Sequence, residues 1–218
     1  MTRIRGLTRG AFCALVMCNV LACSGATEGT KEHADSNQSI SNELAIGLLR
    51  GDIATVKRAL DAGALVDLPD VGGQTPLMVA CGAGFPDSER QPSVLPRPTP
   101  ENLKMLQLLL ERGAKVSASN AESVTALDSC IFHGRAKSVE VLLKAGAKVV
   151  ISSGATGGPL ARAAYLCLPD IVDLLLQYGA DPSAKIDYKT TAREYAAKQN
   201  CSAVVRLLDE KTLPRKLQ

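Results

Sequence analysis

The chain has 218 residues, enough for one substantial core or for a stacked array of small units. It is 46% apolar and 22% charged, with only 3% aromatics and no Trp, so its core must be built from Leu, Val and Ala, which favours closely packed helices over a β-sandwich. The formal charge of +3 comes from Arg3, Arg5 and Arg9; the rest carries 22 basic and 22 acidic residues, which leaves no concentrated basic face for nucleic acid.

In chain order, the first element is an address. MTRIRGLTRG is a basic leader, and AFCALVMCNVLA after it is apolar but too short for the roughly 20 residues a bilayer span needs. It matches the apolar region of a secretory signal. Val20-Leu21-Ala22-Cys23 resembles the lipobox of bacterial lipoprotein signal peptides, although Leu21 is a less common choice there; an ordinary signal peptide is the alternative. The resemblance implies removal of residues 1–22, lipidation of Cys23 and attachment to the membrane through that lipid. Ser24, rather than Asp, follows the Cys, which implies the outer membrane with the protein facing the periplasm. Several acyl chains make such an anchor stable. Residues 23–40 are polar, without an apolar period, and read as a flexible tether carrying His33.

From residue 41 onward, apolar helices end in Gly-Ala pairs: Gly63-Ala64, Gly113-Ala114, Gly146-Ala147 and Gly179-Ala180. The last three recur every 33 residues, and the first interval is 50. Glycine there suits the left-handed residue that closes a helix. A second marker keeps the same register: Thr75-Pro76-Leu77-Met78, Thr125-Ala126-Leu127-Asp128, Gly158-Pro159-Leu160-Ala161 and Thr191-Ala192-Arg193-Glu194. Threonine caps helices, proline is tolerated at the first helical position, and Thr191 with Glu194 fits a capping box.

This unit of turn, T-P-L-x helix, second helix and Gly-Ala ending resembles the ankyrin repeat. The resemblance implies an all-α solenoid of about five helix-turn-helix repeats with short β-turn fingers, spanning residues 41–212 before a tail at 213–218. Its first copy is degenerate; repeat three has Ala126 in place of Pro, repeat four has Gly158 in place of Thr, repeat five lacks the Pro, and the turn signature Asp70-Val71-Gly72-Gly73 is intact only in repeat two. The excess in the first interval is an insertion at 85–101, in which FPDSERQPSVLPRPTP contains five prolines and is expected to be extended. It reads either as a tolerated surface loop or as an arm that touches a partner.

Little in the chain points to catalysis. Two histidines, one of them in the tether, leave little for acid–base chemistry, and G-x-S-x-G, C-x-x-C and H-E-x-x-H are all missing. No enzyme activity, cofactor or metal is expected. Gly154-Ala155-Thr156-Gly157-Gly158-Pro159 lacks the Lys-Ser/Thr of a phosphate loop and falls at a turn tip. Cys81 and Cys130 lie on inner helices of successive repeats, whose axes are about 8–10 Å apart. Disulfides need Cα atoms within about 4.4–6.8 Å, so free thiols are expected for these, and for Cys167 and Cys201 in nearly matching positions.

In ankyrin repeats, the residues seven and eight places after the threonine, and several turn positions before it, face the groove and vary with the partner. Carried over by register, this selects Gln74, Glu122, Val124, Phe132, His133, Tyr165, Leu166, Asp187, Tyr188 and Lys198 as the partner-binding set. Phe132, Tyr165 and Tyr188 are three of the six aromatics outside the signal. Exposed aromatics are common anchors of protein interfaces, although filling of gaps between inner helices is the alternative for Phe132 and Tyr165.

The resulting expectation is a protein-binding module, monomeric when unbound and lipid-tethered at the envelope. An immunity protein that inhibits a periplasm-delivered toxin, such as a phospholipase effector, fits it. An accessory or scaffolding partner of a resident periplasmic enzyme or stress response is the competing class.

Overall fold

The computed structural model describes residues 28–70, 72–82, 100–149, 158–184 and 190–212; side chains are described from residue 39, except those of residues 100 and 101. The tail at 213–218, most of the insertion and most of the glycine-rich stretch at 154–159 lie outside the described residues. The chain divides into two units, Met1–Ser36 and Asn37–Gln218.

Among the described residues there are ten helices and no named strand. They form five successive pairs: α1 (Glu28–Arg50) and α2 (Ile53–Asp61), α3 (Pro76–Gly82) and α4 (Pro100–Glu111), α5 (Ala126–Phe132) and α6 (Ala136–Lys144), α7 (Gly158–Tyr165) and α8 (Pro169–Gln177), α9 (Ala192–Lys198) and α10 (Ser202–Thr212). We number the pairs as repeats one to five. Helices α3, α5, α7 and α9 pack in one inner row, and α2, α4, α6, α8 and α10 in an outer row. Each repeat therefore covers its neighbour's apolar face.

One core register explains the stack. Ala59, Leu109, Leu142, Leu175 and Leu208 each sit on the second helix of a repeat and are fully buried. The inner row contributes Leu77, Leu127 and Leu160. In repeat five the equivalent position is Arg193, exposed and paired with Asp209 of α10. That exchange gives the last repeat a polar outer face, as a terminal repeat needs.

Helix ends follow the local chemistry. Gly63, Gly113, Gly146 and Gly179 have φ of 98°, 85°, 90° and 88°. The amide after each donates back to the helix, as Ala147 N does to Leu142 O at 2.9 Å. Thr191 and Glu194 form the expected capping box, and Thr125 with Asp128 forms a second.

The structure differs from the sequence reading in several places. Helix α1 starts at Glu28, so residues 28–40 are helical rather than an unstructured tether. From Thr30 to Ile46 neither Gly nor Pro interrupts the chain, and a nucleated helix propagates through polar residues at little cost. Helix α4 starts at Pro100, inside the expected insertion, with proline at its first position. The turn of repeat three also keeps the repeat-two geometry despite its different sequence. Asp70 Oδ1 accepts from the amides of Gly72 and Gln74, and Asn120 Oδ1 accepts from those of Glu122 and Val124.

The expectation of free thiols is overturned. Disulfides join Cys81 to Cys130 and Cys167 to Cys201, with Cα separations of 4.6 and 5.5 Å. An axis separation is not a Cα separation: backbones have a radius near 2.3 Å, so facing Cα atoms on helices 8–10 Å apart approach to roughly 4–5 Å.

Candidate interaction surface

Phe132 ends α5 and Tyr165 ends α7, at the same register on neighbouring helices of the inner row. Their burial is incomplete: Phe132 is 51% and Tyr165 52% exposed, so neither is consumed in filling the space between helices. Tyr165 meets Tyr195 of α9 edge to face, with ring centroids 6.3 Å apart. The ammonium of Lys198 lies 5.5 Å from the centre of the Tyr195 ring. The inner row thus carries Phe132 in repeat three, Tyr165 in repeat four, and Tyr195 with Lys198 in repeat five. Such a surface offers apolar area at low side-chain entropy, with a cation at one end.

The other sequence-selected residues are placed less uniformly. Gln74, Glu122 and Lys198 are exposed, and Val124 is half-buried. Leu166 is half-buried against the apolar core. His133 is half-buried: its ring makes an edge contact with Phe132, and a Cβ on Gly82 would come within 3.2 Å of its Nε2. Burial, and secondarily the charge of Arg135, hold the His133 pKa below its ordinary 6.5. Asp187 and Tyr188 lie outside the described residues. Tyr195 was not among the selected positions. It lies one turn before Lys198, and that i, i+3 spacing is the signal that could have found it.

Beneath this face, Asp128 accepts from the amide and hydroxyl of Thr125 and lies 3.7 Å from Arg162 of the next repeat. Arg135 is different. It is 1% exposed, and Nε, Nη1 and Nη2 all lack a hydrogen-bond partner among the described residues. A buried guanidinium without a partner costs several kcal/mol. No group of three or more His, Cys, Asp or Glu able to hold a metal occurs among the described residues.

Comparison with known proteins agrees with the repeat geometry. A family model described as ankyrin repeats (many copies) matches residues 99–143, which run from the start of α4 to the end of α6. The fold is an all-α ankyrin-repeat solenoid. The chain is 28% identical over 138 residues to "Ankyrin repeat, SAM and basic leucine zipper domain-containing protein 1" of Dasypus novemcinctus, covering 62% of this chain and 25% of that protein. With the protein of the same name from Atelerix albiventris it shares 31% identity over 158 residues, 72% of this chain and 24% of that one. The chain thus spans about a quarter of the length of these curated relatives. Ankyrin stacks generally act as binding modules rather than enzymes. The repeats of this chain share that fold.

Proposed function

We propose that the module is an immunity protein: it binds and inhibits an antibacterial toxin delivered to the periplasm, such as a phospholipase effector. The observation that carries partner binding is the half-exposed Phe132 and Tyr165 on adjacent inner helices, continued by Tyr195 and Lys198. The lipobox-like Val20-Leu21-Ala22-Cys23 supports tethering at the outer membrane, where the inhibitor would stand on the surface a lipase attacks. Two disulfides support an oxidising compartment, because such bonds persist in the periplasm and are rare in the cytosol. Inhibition is by stoichiometric occlusion, with the inner-row face covering the approach to the toxin's active site.

Affinity capture from envelope extracts tests this reading, using the tagged protein beside a Phe132→Ala/Tyr165→Ala variant. One dominant partner is expected with the wild type, and loss of capture with the variant, since aromatic anchors cost about 2 kcal/mol or more each when truncated. A captured effector that this protein silences supports immunity. A resident enzyme left active would replace immunity with the accessory role, and capture indifferent to the mutations would remove the surface assignment.

A further inference from the structure

Arg135 caps α6, a helix of 9 residues, yet no side chain hydrogen-bonds the helix's first amides and its first turn holds no acidic residue. A cation at the positive end of a helix dipole is unfavourable, and burial makes it more so. Among the described residues Arg135 has neither an ion pair nor a side-chain hydrogen bond, and the buried Nδ1 of His133 also lacks a partner. The carboxylate of Asp128 is occupied by Thr125 and by Arg162.

The fold itself does not ask for arginine here. The same register position is Asp52 in repeat one, Asn102 in repeat two, Leu168 in repeat four and Cys201 in repeat five. Asp52 shows the ordinary solution, its carboxylate accepting from the amides of Ala54 and Thr55. Repeat three instead combines a donor-only fork with a helix start that has no side-chain cap, although the Ala136 amide donates to Gly134 O; His133 Nδ1, also without a partner, is a donor in its protonated tautomer.

We propose that Arg135, the first amides of α6 and His133 Nδ1 form a binding site for one oxyanion, a carboxylate or a phosphate. The guanidinium fork matches two oxygens of either group, the helix N-terminus adds amide donors, and the imidazole donates in its Nδ1-protonated tautomer. His133 stands against Gly82, and among the described residues no hydrogen bond holds its Nδ1. The site stands apart from the immunity reading, because free anions test it without any partner.

The test measures the thermal midpoint of the full chain at constant ionic strength, with chloride replaced by acetate or by inorganic phosphate. A saturable rise of about 3 °C or more is expected in the wild type with at least one of the two anions. Arg135→Met should lose that response and, in chloride, melt above the wild type, because the unpaired charge is gone. Arg135→Lys keeps a charge without the fork and should weaken the anion about tenfold. The Arg135 Nε–H signal of the wild type should also move on adding the anion, a readout that does not depend on any variant folding.

The two anions and a capped glutamate, N-acetylglutamate N-methylamide, distinguish the sources. Acetate and the capped glutamate acting alike would assign a carboxylate that a protein partner could present. Acetate alone would assign a free carboxylate, and phosphate alone a phosphate. Neither anion exceeding chloride, an equal response in Arg135→Met, or a stationary Nε–H signal would overturn the site.

Discussion

At the residue scale, His133 joins the two surfaces described above, since its ring touches Phe132 and its Nδ1 is buried near Arg135. Its pKa in the folded chain lies below 6.5, burial being the larger cause. The folded state therefore prefers the neutral ring. Its contribution to stability is complete above 6.5 and is lost progressively as pH falls from there through the folded-state pKa. Denaturant melts between pH 7.5 and pH 5 should show this loss, and His133→Gln should flatten it; equal slopes in both proteins would remove His133 as the cause. Cys167 shows another residue-level compromise. Its φ is 57°, in a register where Gly134 and Asn200 have 65° and 59°. An L side chain there costs about 1–2 kcal/mol, which the bridge to Cys201 offsets. Under reducing conditions Cys167→Gly should therefore be about 1 kcal/mol more stable than the wild type, and under oxidising conditions less stable.

At the element scale, local capping decides whether the shortest helices form. Helix α5 has only 7 residues, and its capping box supplies bonds that so short a helix cannot make internally. Thr125→Ala should cost about 1 kcal/mol in denaturant unfolding, with the loss concentrated in repeat three by hydrogen exchange. Buried leucines of the shared register matter more. Leu142→Ala, from a fully buried site, should cost about 2–5 kcal/mol. Glycine ends and threonine starts were readable in the sequence because they are demands of local backbone geometry. The turn at Asn120 was not, since asparagine supplies the same acceptor as aspartate and Ser123 takes a φ of 61° where Gly73 has 75°.

At the scale of the whole molecule, the main helix contacts among the described residues are within a repeat or between neighbouring repeats, and the disulfides staple repeat two to three and repeat four to five. The interface between repeats three and four has no covalent link among the described residues, and Phe132 and Tyr165 end the inner helices on its two sides. Bridges of sequence separation 49 and 34 each constrain the unfolded chain by about 4 kcal/mol in the loop-entropy account. Cys201→Ser should consequently lower exchange protection in α9 and α10 well before it affects α3 and α5. Uniform loss across the stack would mean that the array unfolds as one unit.

The periodic helix pairs and their glycine endings were determined by sequence alone. Each depends on short-range geometry that a repeat of 33 residues copies from one unit to the next. The disulfides, the Tyr195–Lys198 extension and the unpartnered Arg135 were decided only in three dimensions. They depend on how closely neighbouring helices approach and on which polar groups packing removes from water, and a register shows which positions stack without giving those distances.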